Sequence, residues 1–172
     1  MTRVVDVVRT YLELRSPEQL KAAHSPDPSI QFVHRDRISV EHYRRLYRAV
    51  GDRWYWHDRN AWPDEHLAAH LASPNVEVWE CLAGSDTAGF FELAKYDVRE
   101  VEIAYFGLVE EFMGRGIGKA MLTRAAEEAW ALGPARVWLH TCTLDSPRAL
   151  PNYLARGFEK TRTEVHRVAV AD

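Results

Sequence analysis

The run Met113-Gly114-Arg115-Gly116-Ile117-Gly118-Lys119 constrains this chain more than any other segment. It separates an apolar stretch over 103–109 from a helical pattern over 120–132. A strand, a glycine-rich turn and a helix start together make an anion site. Glycines let the backbone approach closely, and the first helical N–H groups lack internal partners. A phosphate group is the guest such a turn suits best. Two common phosphate loops are excluded by spacing. The Walker loop requires glycine at position 113 and Ser or Thr after Lys119, but the chain has Met113 and Ala120. The dinucleotide fingerprint fails because the glycines run 114, 116 and 118. Glycine turns before helices are also plain structural devices, so the surrounding sequence has to decide.

The chain has 172 residues, about one domain, and a chain of that size buries about two-thirds of its unfolded surface. A single domain over 1–172 is therefore expected. A content of 47% hydrophobic and 27% charged residues is ordinary for a globular protein. The net charge of −3 comes from interspersed acids and bases, which leaves no basic footprint for nucleic acid. No apolar run approaches the ~18 residues of a membrane span, and the N-terminus lacks a signal peptide's apolar core. Cys81 and Cys142 fall in apparent strands and give no disulfide framework. The expectation is a cytoplasmic protein with neither nucleic acid nor membrane as partner.

Strand and helix patterns alternate along the chain. Residues 4–14 read as a first strand, and 39–50 as a helix opened by Ser39 and closed by Gly51. A second helix follows Trp62-Pro63-Asp64-Glu65 and runs to about Ala72. Strands are expected over 76–82, 89–94 and 101–109, with a turn at Gly84-Ser85-Asp86. A helix over 116–132 carries Ile117, Met121, Ala125, Ala129 and Leu132 on one face and stops at Gly133-Pro134. A buried strand over 136–144 and one or two closing strands over 158–170 complete the pattern. No repeat or linker interrupts it.

The segment 102–122 resembles the central motif of the GCN5-related N-acetyltransferase (GNAT) superfamily, in which [Gln/Arg]-x-x-Gly-x-[Gly/Ala] follows a strand. Here the pattern falls on Met113-Gly114-Arg115-Gly116-Ile117-Gly118. Farther on, the run from Ser146-Pro147-Arg148 through Asn152-Tyr153-Leu154 to Gly157-Phe158 is similar to the family's closing motif, a short helix with a Tyr that ends in Gly-Phe. The resemblance covers about 76–170 and holds only in outline before that. It implies an α/β fold: a central mixed, mostly antiparallel sheet of six to seven strands flanked by helices on both faces. It also implies acetyl-CoA as co-substrate, no metal, and direct transfer to an amine of a small molecule or peptide. A homodimer is compatible with it.

The chemistry sets the roles. The amine must attack as the neutral species and the leaving thiolate must be protonated. Glu102 is similar in register to the family's general-base glutamate, with side chains 102, 104, 106 and 108 expected on one face. A solvent-facing strand Glu is the alternative, and Glu92, Glu100 or a water relay would then substitute. Tyr153 matches the family's Tyr at the CoA sulfur, and a phenol of pKa near 10 can donate at neutral pH. Packing under the closing helix is its alternative role. Pro151 would cost a hydrogen bond in a helix begun at Pro147. A restart with Pro151 at the first helical position avoids this and sets Tyr153 near the N-terminus.

The resemblance also implies a gap beside the strand of Glu102, where backbone groups of Phe106 and Leu108 pair with pantetheine. The pyrophosphate would rest on the N–H groups of 114–119, with Arg115 and Lys119 adding charge. Met113 departs from the family's Gln or Arg, and Asp145 or Ser146 falls near its usual Asn. For the acceptor, Trp54 and Tyr55, in the cluster Trp54-Tyr55-Trp56-His57-Asp58 with Trp62, are read as a substrate wall or as helix packing. Glu92 is the third acceptor-side candidate. His66 and His70 stand four residues apart without a third ligand, which reads as a solvated helix face. His140 and Cys142 read as core residues. A non-catalytic acyl-CoA-binding or regulatory module of the same fold is the alternative function. A nucleotide-using enzyme would need a metal-binding carboxylate set that is not recognisable here.

Overall fold

A computed structural model describes residues 2–171. In chain order the elements are β1 (Thr2–Leu14), β2 (Ile30–His34), α1 (Val40–Gly51), α2 (Asp64–Ala72), β3 (Val76–Ala83), β4 (Asp86–Lys95), β5 (Glu100–Leu108), α3 (Ile117–Ala131), β6 (Arg136–Cys142), α4 (Ala149–Ala155) and β7 (Glu159–Ala171). Seven strands form one sheet in the order β2-β3-β4-β5-β6-β1-β7. Every neighbouring pair is antiparallel except β5 and β6, which are parallel. The result is the mixed, mostly antiparallel sheet that the family resemblance implies.

Local chemistry sets the helices. Ser39 caps α1 by accepting the His42 N–H at 3.1 Å. Tyr43, Leu46, Tyr47 and Val50 then form one buried stripe. They pack with Leu67 and Leu71 of α2 against Val78 and Phe90 on one face of the sheet. Helix α3 covers the other face with Ile117, Met121, Leu122, Ala125, Ala126 and Ala129, against Phe91, Leu93, Val101, Ile103, Val137 and Leu139. Its small residues permit close approach to the strands.

Two features differ from the sequence expectations, and one expectation left open is narrowed. Strand β2 is new: Ile30 and Phe32 pack on the α3-side core, and five residues in a Pro- and Ser-rich stretch give little alternation to read. The closing region, expected as one or two strands, is one 13-residue strand, β7, paired along β1. Helix α4 begins at Ala149, so Pro151 is its third residue and not its first. The N–H that proline lacks is one of the four that the first helical turn leaves unpaired, so the position carries no hydrogen-bond cost.

Candidate functional site

The parallel pairing of β5 with β6 ends early. It joins Glu100–Arg136, Val101–Val137 and Glu102–Trp138, after which the strands part. The β4–β5 register shifts at the same place, because Glu92 pairs Tyr105 while Leu93 pairs Ile103. Ala104 is therefore the unpaired residue of a β-bulge, and side-chain alternation reverses across it. Val101 and Ile103 face α3, as do Phe106 and Leu108 beyond the bulge, while Tyr105 joins the α1 cluster. Glu102 thus lies on the α1 face. The expectation that 102, 106 and 108 share a face is overturned by this one extra residue.

A cavity of about 730 Å³ runs through the opening. On the α1 face it is bordered by Trp54, Tyr55, Arg59, Tyr96, Glu102 and His140. On the α3 side it is bordered by Met113, Gly114, Gly116, Gly118, Lys119 and Tyr153, with Asp145 and Ser146 from the loop after β6. Phe106 and Leu108 form part of its β5 wall. The Val109 N–H is given to Ala88 O on β4. Alternation then turns the backbone groups of 106 and 108 away from β4, toward the opening.

The glycine turn is shaped by left-handed backbone at Gly114 (φ 77°) and Gly116 (φ 79°), which favours residues without a Cβ. A Cβ on Gly114 would stand 2.9 Å from Arg148 Nη1, so the absent methyl leaves a cradle beside a guanidinium. Arg148 also lines the cavity and was not singled out from sequence, since its nearness to residue 114 depends on how α4 returns to α3. That return is fixed by Asn152, whose Nδ2 donates to Gly118 O at 3.1 Å. Asp145 accepts from Thr141 Oγ1 at 2.7 Å and Cys142 N–H at 2.9 Å, which shapes the loop after β6. Arg115 does not border the cavity, and its guanidinium lies over the Phe112 ring. The Ile117 side chain belongs to the core, so only its backbone can serve the turn.

Tyr153 is 5% exposed, edge-on to Phe106 and Phe158. Burial and the charge of Asp145 push its phenol pKa up. Glu102, also 5% exposed, accepts a short hydrogen bond from Tyr96 Oη, and its Oε1 lies 3.8 Å from His140 Nε2. Burial raises the Glu102 pKa, and the Tyr96 hydroxyl opposes that rise by favouring the carboxylate. His140 is a correction: it faces the cavity and is exposed, not in the core. Burial and the nearby Arg9 lower its pKa, so it is neutral at pH 7. Cys142 also lines the cavity, with its thiol pKa raised by burial.

Glu92 does not reach the cavity. It is 0% exposed and receives Tyr43 Oη at 2.5 Å, Arg59 Nη2 at 2.9 Å and His70 Nε2 at 3.0 Å. Burial opposes its charge, but these partners hold its pKa below the ordinary carboxylate value. His70 is thereby part of an ion cluster and not of a solvated face, whereas His66 stacks on Trp62 at 4.2 Å. Of the aromatic run, Trp54 and Tyr55 border the cavity while Trp56 also packs against Tyr47, Phe90 and Tyr105. Among the described residues no group of three or more His, Cys, Asp or Glu side chains is placed to hold a metal, and no helix is long and apolar enough to cross a membrane.

Comparison with known proteins bears on family and fold. The model of the acetyltransferase (GNAT) family matches residues 43–158. A GCN5-related N-acetyltransferase from Kribbella flavida superposes with a TM-score of 0.68 at 19% identity, over 96% of this chain and 59% of that one. A functionally unknown conserved protein from Staphylococcus epidermidis gives 0.66 at 18% identity, over 96% and 62%. This chain thus spans about three-fifths of the length of these two relatives. An aminoglycoside acetyltransferase from an uncultured soil metagenomic sample, in complex with sisomicin, gives 0.62 at 19% identity, over 77% and 90%. No curated protein matches the sequence.

Proposed function

Because the chain belongs to the GNAT acetyltransferase family, we propose that it moves an acetyl group from acetyl-CoA directly to a primary amine of a small molecule or peptide. The observation that carries this reading is Glu102: a buried carboxylate of raised pKa, set where β5 and β6 part, across the opening from the glycine turn.

The residues fit the co-substrate. Backbone N–H groups of Gly114, Arg115, Gly116, Ile117, Gly118 and Lys119 would hold a pyrophosphate, and the room beside Gly114 lets Arg148 supply the charge that Met113 lacks. The backbone of Phe106 and Leu108 would hold the pantetheine arm, with Asp145 and Ser146 at its flank. When bound, acetyl-CoA supplies the activated acetyl thioester. Glu102 takes the amine proton on Oε1, the oxygen that Tyr96 leaves free. Tyr96 keeps the carboxylate oriented and ionised. Tyr153 Oη is the donor for the thiolate sulfur. Its raised pKa favours holding the proton in a hydrogen bond over releasing it completely. Trp54 and Tyr55 wall the acceptor, and Glu92 acts from behind by fixing Arg59.

Calorimetric titration with acetyl-CoA, against ATP, followed by thiol-release assays on amines, tests the reading. Glu102→Gln is expected to keep acetyl-CoA binding and lose about 10²- to 10⁴-fold in turnover. Full turnover in that variant would move the base elsewhere. Binding without any thiol release would favour the non-catalytic module, and preference for ATP would end the transfer reading.

A further inference from the structure

Resting on that reading, we propose that the acceptor is an amine that also carries a carboxylate, and that Arg9 is the residue that recognises it.

Four charged side chains border the acceptor side of the cavity: Arg9, Asp58, Arg59 and Glu102. Arg59 is answered from behind by the buried Glu92 at 2.9 Å, and Glu102 is the proton acceptor. Arg9 is different. On β1, Leu12 and Leu14 point into the α3-side core, so alternation turns Arg9 and Tyr11 to the face that carries Glu102. Tyr11 confirms the direction, with its ring 5.6 Å from that of His140. Arg9 pairs with Cys142 in the ladder, two residues past His140 and beyond the point where β5 leaves β6. Its guanidinium hydrogen-bonds with the Tyr11 side chain. The carboxylate nearest it across the strands, Glu164 of β7, is already engaged by Tyr11 Oη at 3.2 Å, His166 Nε2 at 3.1 Å and Arg162.

Along this face the order is therefore a carboxylate at Glu102, an uncharged imidazole at His140, and a guanidinium at Arg9. The complement is an ammonium followed by a carboxylate. An arginine fork suits a carboxylate, which it can hold with two parallel hydrogen bonds. An amine without an anion would leave the partly buried Arg9 with only the shared charge of Glu164 across the strands. A polyamine would set a second cation against it, and like charges juxtaposed in a site select against that ligand. Trp54 and Tyr55, at the same end, suit an apolar or aromatic remainder.

The test uses substrates matched except for the carboxylate: L-phenylalanine with 2-phenylethylamine and β-alanine with ethylamine, plus spermidine as a polycation, assayed by thiol release. The carboxylated member is expected to show kcat/KM at least ten-fold higher, chiefly through KM. Arg9→Gln should collapse that ratio toward one, and Arg9→Lys should retain part of it. Equal rates within pairs, preference for spermidine, or a ratio untouched by Arg9→Gln overturns the proposal while leaving acetyl transfer intact. No thiol release with any amine overturns the transfer reading and this one with it. A turnover-free check is titration of CoA-saturated protein with N-acetyl-L-phenylalanine and N-acetyl-2-phenylethylamine. Tighter binding of the first, lost in Arg9→Gln, is the expected result, and equal binding overturns the proposal.

Discussion

At the scale of single residues, Tyr96 and Tyr153 should separate in their pH behaviour. Tyr96 Oη donates to the ionised Glu102 and so holds its pKa down against burial. Removing that donor lets the pKa climb. A base works only when ionised, so the rising acid limb of kcat/KM should move to higher pH in Tyr96→Phe, with activity lost most at the acid end. Tyr96 is 64% exposed, so the variant should fold normally. Tyr153→Phe should leave that limb in place and lower kcat about 10- to 100-fold. A pH profile of both variants checks this, and an unmoved limb in Tyr96→Phe would exclude its action on Glu102. That Glu102 stands near the opening was legible by counting back from the glycine turn. Tyr96 was not, because it reaches Glu102 from the β4–β5 connection, and no periodicity announces such a contact. Arg9 and Arg148 were missed for the same reason: each meets the site through a strand or helix distant in sequence.

At the scale of elements, the turn before α3 depends on backbone that only glycine adopts without strain. Gly116 sits at φ 79°, and a Cβ there would touch Lys119 Cε at 3.4 Å. Gly116→Ala is expected to cost about 1–2 kcal/mol in chemical denaturation, from left-handed backbone alone. It should also weaken acetyl-CoA binding in calorimetry as the turn relaxes. The helices and most strands were legible because their apolar spacing is strong, as in the α1 stripe of Tyr43, Leu46, Tyr47 and Val50. Strand β2 was not, being five residues held by its pairing with β3. The start of α4 was misread because Pro151 fits the first turn at more than one position.

At the scale of the whole molecule, three buried carboxylates tie the surrounding pieces to the sheet. Glu80 holds Arg35 at 2.7 Å and His42 at 3.0 Å, Glu92 holds Arg59 and His70, and Glu13 holds Arg15 and Arg136 at 2.5 Å each. Burial opposes each charge, yet hydrogen bonds and neighbouring cations leave all three pKa values below the ordinary 4.5. Protons therefore bind the unfolded chain first as pH falls. The stability these groups give is complete above about 4.5 and is lost as pH drops through their lower folded values. Their contribution to Tm should stay level from neutral pH down to about 5 and fall steeply below, as thermal unfolding of the wild type against Glu92→Gln would show. Glu92→Gln should cost about 3 kcal/mol at pH 7, because Arg59 is left buried without its counter-charge, and should flatten that fall. The order of strands and helices was readable in advance. These ion clusters were not, since Arg59 and His70 approach Glu92 only once α2 is seated on β3 and β4.

Ala104 adds one to a count that has only two values. In a strand the facing of every side chain is a matter of odd or even, and the bulge changes the parity halfway along β5. One half of the strand is thus read in a frame that delivers Glu102 to one side of the sheet, and the other in a frame that sends Phe106 and Leu108 to the opposite side. Substitutions alter a letter within a frame, whereas drawing this alanine into the ladder as an ordinary paired residue would shift the frame itself. The half that bears Glu102 and the half that bears Phe106 and Leu108 would then face the same side of the sheet, with every residue type intact. Which residues pair, here, is as much a part of the site as which residues are present.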